Sequence, residues 1–172
     1  DSWHKYLAEA FGTFIFVFVA AGSVLANWQT GGSLGAVGVA LATGFALAAM
    51  VYATHHISGG HLNPAITIAL WSTKHIRGMH AIGYVVAQLI GGIVAALLVK
   101  MVFVGVSPQF YLGDAMLGTG VSIGMGIFVE ALFTFFLVWT VFATVIDRRA
   151  SPVIGGLSIG MVMATAILIA GN

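Results

Sequence analysis

Hydrophobic residues along this chain form five stretches that are each long enough to cross a membrane as a helix. A spanning helix needs about 20 apolar residues, and the stretches lie at residues 6–26, 34–53, 81–103, 120–146 and 153–170. The first stretch is too long, and too poor in a cleavage site, to be a removable signal peptide. The pattern therefore predicts an all-α membrane protein with five spans.

A further apolar stretch, residues 62–72, is only half as long as a span. Ten residues of helix reach about 15 Å, whereas the hydrocarbon core is about 30 Å thick. Asn63 is a suitable N-cap and Pro64 a suitable first helical residue, so the helix is predicted to start at one of them. Non-helical backbone such as residues 58–61 is tolerated at membrane depth only where protein buries it or a wet cavity borders it. We therefore expect a re-entrant half-helix beside a pore or substrate cavity.

The composition supports a membrane location. Apolar residues make up 60% of the 172 residues, charged residues 6%, and the mean hydropathy is +1.07, as in an integral membrane protein. If the half-helix does not cross, five of the six basic residues fall on the side of the N-terminus and only Lys100 falls on the other. The positive-inside rule then places the N-terminus in the cytoplasm. Glycines four residues apart, such as Gly156 and Gly160, suit helices that pack backbone to backbone in lipid.

Two segments of the chain repeat weakly. Residues 9–14 (EAFGTF) are similar to residues 130–135 (EALFTF), and residues 38–41 are similar to residues 156–159. An odd number of spans separates the copies, so the two units would insert with opposite topology. Such an inverted repeat is typical of channels and transporters whose site lies near the midplane of the membrane.

The repeat also sets the expected domain organisation. We expect one transmembrane channel domain, residues 1–172, with a first repeat of about residues 1–104 and an incomplete second repeat of about residues 119–172. A second copy of the loop would fall beyond Asn172. The chain is therefore expected to lack the second half-helix and the final span, and to form no selective pore without them.

The loop before the half-helix carries hydrogen-bonding groups suited to a neutral solute. A half-helix that begins near mid-bilayer directs the positive end of its dipole, with the carboxamide of Asn63, at the cavity. Gly59 and Gly60 permit an irregular backbone whose carbonyls face the cavity as acceptors. A passive channel is the leading interpretation. A secondary transporter with broken helices and a non-conducting fragment or subunit are the alternatives, whereas no catalytic motif predicts an enzyme.

Ionisable residues near these stretches are interpreted structurally. Glu9 and Glu130 are costly inside a membrane unless they are paired, and we expect them to brace loop amides rather than to relay protons. His55, His56 and His61 cluster near the loop, but the chain has no Cys and no acidic residue between Glu9 and Asp114. We therefore predict neither a metal site nor a cofactor.

The motif SGGHLNPAIT at residues 58–67 makes the chain similar to a known family. Together with AEAFGT at 8–13, GYVVAQ at 83–88 and VEA at 129–131, it resembles the aquaporin (major intrinsic protein) family over the whole chain. The resemblance implies an aquaporin-like right-handed helix bundle and a homotetramer in membrane lipid, with one pore in each protomer. We expect passage of water and of small neutral solutes such as glycerol, exclusion of protons and ions, a place in the plasma (cell) membrane, and no nucleic-acid partner.

The same resemblance implies roles for individual residues. Asn63, in the Asn-Pro-Ala motif completed by Pro64 and Ala65, would donate to passing water. Glu9 and Glu130 would brace the two loops. The cytoplasmic vestibule would be lined by the carbonyls of Gly59, Gly60, His61 and Leu62.

The chain departs from the family pattern at the constriction. Thr43 stands where the family has an aromatic residue, and Met163 aligns with the histidine of strict water channels. These residues would leave a wider and less polar constriction than a strict water channel has. The second Asn-Pro-Ala motif and the arginine that follows it are absent from the sequence.

Overall fold

The computed structural model describes residues 2–105 and 117–170, and the regular structure within them is helical. The six α-helices are α1 (Ser2–Gln29), α2 (Gly35–Ser58), α3 (Pro64–Ser72), α4 (Gly78–Val102), α5 (Ile123–Val141) and α6 (Gly155–Ala170). A π-helical turn, Phe142–Ile146, continues α5, and a 3-10 turn, Pro152–Ile154, leads into α6. The predicted all-helical class is confirmed.

Four of these helices are long and apolar enough to cross a membrane. They are α1, α2, α4 and α5 together with its π-helical turn. The fifth predicted span corresponds to α6, which has 16 residues in the described part of the chain and so falls short of the about 20 that a span needs. The total of five spans stays a prediction.

The short helix α3 begins where the sequence predicts. Asn63 is extended, with φ −153° and ψ 127°, and its side-chain oxygen accepts the backbone N–H of Ala65. Pro64 occupies the first helical turn, where its missing N–H costs nothing. The nine residues of α3 correspond to about 14 Å of helix. The predicted helix start is confirmed, and its re-entrant course stays a prediction.

The loop and α3 are seated inside the helix bundle. Helix α1 packs against α2 and α4, α2 packs against α6, and α3 packs against α4 and α5. One buried apolar cluster joins Leu62 of the loop and Ile66 of α3 to side chains of α2, α5 and α6: Leu47, Val51, Leu137 and Ile159 among them. Because burial of apolar surface is the main stabilising term, this cluster fixes the position of the loop.

Helices α2 and α6 cross at two glycines. A Cβ atom placed on Gly44 would meet the backbone carbonyl oxygen of Gly160, and one placed on Gly160 would meet that of Gly44. The two backbones are therefore in direct contact, as small residues allow in membrane helices. This crossing sets the distance between α2 and α6 on one side of the loop.

Candidate functional site: the buried loop and its cavities

The loop between α2 and α3 has positive φ angles at three residues, and one of the three is not a glycine. Gly59 and Gly60 have φ values of 95° and 63°, which glycine adopts readily, but Leu62 also has a positive φ, 51°. The left-handed region costs an L-residue roughly 1–2 kcal/mol. Leu62 is 1% exposed, so its packing and hydrogen bonding in the core offset this cost.

Glu9 of α1 accepts four hydrogen bonds around this loop. Its Oε1 accepts the Ser58 hydroxyl at 2.6 Å and the His61 backbone N–H at 3.0 Å. Its Oε2 accepts the Leu62 backbone N–H at 2.7 Å and Nε2 of Gln88 at 2.7 Å. The Glu9 side chain is fully buried. A buried carboxylate with four donors is the geometry that the predicted bracing role requires.

Thr67 connects this network to α3. Its hydroxyl donates to the carbonyl of Asn63 at 3.1 Å and accepts from Nε2 of Gln88 at 3.0 Å. Nδ1 of His61 lies 3.0 Å from the same oxygen. Because the hydroxyl has one proton, and that proton is given to Asn63, Nδ1 of His61 must donate. In the neutral ring, this assignment leaves Nε2 of His61 as an acceptor.

Asn63 lines a cavity of about 200 Å³. Its side-chain oxygen is occupied by the N–H of Ala65 at 2.8 Å, so the amide N–H groups are the part of Asn63 left for a solute. The structure brings Asn63, Glu130 and Met163 to this one cavity, together with apolar residues of α5 and α6. Three of the residues singled out in the sequence thus share one space.

A second cavity, of about 80 Å³, borders the residues that precede Asn63. Gly59, Gly60 and His61 line it, with His55 of α2 and apolar side chains of α3, α5 and α6. Leu62 is absent from its lining among the described residues, because its side chain belongs to the buried apolar cluster. A lining role for the Leu62 carbonyl stays a prediction.

For two other residues with predicted roles, Thr43 and Glu130, the structure shows a position but no contact that matches the role. Thr43 is 2% exposed, its hydroxyl donates within α2 to the carbonyl of Val39 at 2.9 Å, and it does not line the cavity of Met163. Glu130 is exposed in a larger apolar groove of about 960 Å³ along α5 and the end of α6. Within residues 2–105 and 117–170 no loop amide contacts Glu130. A constriction at Thr43 and a brace at Glu130 stay predictions.

Two members of the network, Gln88 and Thr67, have no role predicted from the sequence. Gln88 is 2% exposed and Thr67 is fully buried, and both contact the groups that hold the loop. Gln88 is a polar residue within a predicted span, which is a signal that a buried partner exists. Thr67 gives no such signal, because a threonine near a helix start is common.

Comparison with known proteins places the whole chain in one family. The sequence model described as "Major intrinsic protein" matches residues 1–172. The chain is 40% identical to Aquaporin TIP4-4 of Zea mays, with 96% of the chain and 67% of that protein covered. It is 34% identical to Nodulin-26 of Glycine max, with 97% of the chain and 60% of that protein covered. The chain thus spans about two thirds or less of the length of these relatives.

A solved structure has the same fold. The X-ray structure of the aquaglyceroporin from Plasmodium falciparum superposes with a TM-score of 0.81 over 99% of this chain and 72% of that one, at 24% identity. At this identity the likeness concerns the fold alone. The apolar helices, the capped short helix beneath a buried loop and the match over every residue lead to one conclusion: the chain is an integral membrane protein that belongs to the major intrinsic protein family, the family of the aquaporins.

Proposed function

We propose that this protein is a passive channel for water and for small neutral solutes such as glycerol. The proposal rests on which hydrogen-bonding groups of the Asn63 side chain are already used within the protein. The side-chain oxygen of Asn63 caps α3, its amide N–H groups have no partner among the described residues, and Asn63 lines the cavity of about 200 Å³. A donor at the positive end of a helix dipole attracts a water or hydroxyl oxygen and disfavours a cation. The name Aquaporin TIP4-4, carried by a relative 40% identical to this chain, supports the same function.

The other residues would divide the remaining work. Glu9 holds the loop, and the carbonyls of Gly59, Gly60, His61 and Leu62 act as acceptors on the approach to Asn63. Met163 and Thr43 shape the constriction, where their side chains leave more room than aromatic or imidazole rings. Glu130, at the repeat-related position of Glu9, braces a second loop. The half-helix dipole and the Asn63 donor interrupt a chain of hydrogen-bonded water, so protons do not follow the solute.

The arrangement in the membrane belongs to the same proposal. The hydrogen bond of 3.0 Å between the Tyr6 hydroxyl and Nδ1 of His80 joins the starts of α1 and α4 at one face, near Lys5 and Arg77. This basic face lies in the cytoplasm of a cell with the channel in its plasma membrane, and α3 is re-entrant. The exposed apolar residues of the long helices contact lipid and neighbouring protomers of a homotetramer.

Flux measurements test the proposal on proteoliposomes that contain this chain together with the second half-helix and the final span that it is expected to lack. Stopped-flow light scattering reports water and glycerol permeability, and an enclosed pH dye reports proton permeability in the same vesicles. We expect both solute permeabilities to exceed those of empty liposomes, with proton permeability unchanged. Water flux at the level of empty liposomes contradicts a channel. Glycerol uptake that requires a proton gradient favours a secondary transporter instead.

A further inference from the structure

An outer cavity adjoins the cavity beside the loop, and the residues that line both cavities are here called the neck. The outer cavity, of about 130 Å³, is lined by exposed Tyr52, His55 and His56 of α2 and by the start of α6. The inner cavity, of about 80 Å³, is the one lined by Gly59, Gly60 and His61. The two cavities share three lining residues: Val51, His55 and Val145. His55 is the polar member of this set.

The His55 ring is held in place by the loop itself. Nδ1 of His55 lies 3.1 Å from the carbonyl oxygen of Gly59. A carbonyl only accepts, so Nδ1 must donate and the neutral ring keeps Nε2 as an acceptor. No group in the described part of the chain bonds to Nε2. The neck therefore carries one fixed ring with one free acceptor atom between two valine side chains.

We propose that His55 determines solute specificity at this neck. The ring limits the width of the passage, and Nε2 accepts a hydrogen bond from water or from a hydroxyl group of the solute. Solutes would therefore be selected on the loop side of Asn63 as well as at Thr43 and Met163. This inference rests on the proposed channel function and adds a second selecting site to it.

Neighbouring histidines are not equivalent to His55. Of the two cavities, His56 lines only the outer one. Of the two cavities, His61 lines only the inner one, and its Nδ1 is hydrogen-bonded to the Thr67 hydroxyl. The described residues that α5, its π-helical turn and α6 contribute to the neck and the two cavities are apolar or glycine. His56 is thus a matched control, one position away on the same helix.

Three variants, each studied in proteoliposomes together with the second half-helix and final span, test the assignment. His55→Ala removes the ring, whereas His55→Asn keeps an amide that can donate to the Gly59 carbonyl but removes Nε2 and much of the ring volume. We expect the ratio of glycerol to water permeability to rise by about tenfold in both, the scale of a methylene-sized change in a recognition pocket. His56→Asn should leave the ratio at its original value. Flux is normalised to folded protein, so a poorly folding alanine variant leaves the asparagine variant to decide.

The outcomes separate this inference from the function on which it rests. If the unsubstituted protein conducts neither water nor glycerol, the channel proposal fails. If it conducts both and the two His55 variants keep its permeability ratio, the channel stands and the role of His55 is refuted. An equal rise in His56→Asn also refutes it, because the effect would then belong to the outer cavity.

Discussion

The backbone N–H of Leu62 donates to Oε2 of Glu9 over 2.7 Å, although 53 positions separate the two residues. Leu62 is the residue of the loop that has a positive φ, 51°, without being a glycine. The carboxylate of α1 therefore fixes the least favourable backbone conformation in the loop. The same carboxylate accepts the backbone N–H of His61, so α1 also positions the residues just before α3.

Glu9→Gln should destabilise the protein more than it alters selectivity. An amide has one acceptor oxygen and presents its own N–H groups, so at least one of the four donors around Glu9 would lose its partner. A buried unsatisfied donor costs about 1–3 kcal/mol. Folded yield and the denaturation midpoint in detergent would measure the loss. Glu130→Gln in residues 1–172 is the control, because Glu130 is exposed there. Unchanged stability with altered selectivity in Glu9→Gln would contradict bracing.

Asn63→Asp and Asn63→Ala should separate the two functions of this side chain. Aspartate keeps an oxygen that can accept the N–H of Ala65, so helix capping is retained. Alanine loses the cap, at a cost of about 1 kcal/mol. Both remove the amide donor at the cavity of about 200 Å³, and aspartate adds a negative charge there. We therefore expect lower water permeability in both variants, and cation conductance in Asn63→Asp alone.

Stopped-flow scattering and a cation-sensitive dye in the same vesicles measure these effects. Thermal unfolding in detergent reports the cap separately. Water permeability equal to that of the unsubstituted protein in Asn63→Asp would show that the Asn63 amide does not contact the solute.

Gly44→Ala should weaken the α2–α6 crossing. The added methyl group would meet the Gly160 carbonyl and Ala164, so the helices must separate, and overpacking of this kind costs about 1–3 kcal/mol. Gly124→Ala in α5 is the control, because a Cβ there has no neighbour within 4 Å. Alanine in a helix is favoured over glycine by about 0.5–1 kcal/mol. The thermal midpoint should therefore fall in the first variant and stay level or rise in the second.

Asp147 should make stability depend on pH at the acid end. Hydrogen bonds from the Arg149 side chain lower the pKa of Asp147 from 3.8 to about 2, with a closest contact of 2.6 Å. Because the pKa is lower in the folded state, the stabilisation is present above pH 3.8 and is lost as the pH falls towards 2. The pair is exposed, so the effect is small.

Unfolding midpoints of the protein and of Asp147→Asn between pH 5 and 2 would measure this dependence. The two curves should differ above pH 4 and converge towards pH 2. Arg149→Gln should weaken the pH dependence without abolishing it, since it removes the side-chain hydrogen bonds but keeps the backbone N–H of residue 149 on Asp147. A constant difference at every pH would contradict the assignment.

Features that depend on neighbouring residues were predictable from the sequence. The start of α3 follows from Asn63 and Pro64, because capping and a preset φ act within one helical turn. The long helices follow from the lengths of the apolar stretches, although α5 begins at Ile123 and ends in a π-helical turn. Boundaries of this kind depend on hydrogen-bond geometry that composition does not determine. The family likewise followed from the loop motif and its flanking segments.

Other features depend on residues far apart in the chain, and only the tertiary structure decided them. The donors that meet Glu9 come from positions 49 to 79 residues away, and His55 borders both cavities. Thr43 is buried, with its hydroxyl bonded to the Val39 carbonyl of its own helix, and Glu130 lies exposed in a groove. All four placements depend on how far each helix is rotated about its axis, and packing such as the Gly44–Gly160 contact fixes that rotation. Hydrophobic patterning predicts that a helix spans the membrane, whereas long-range packing decides which side chain reaches the loop.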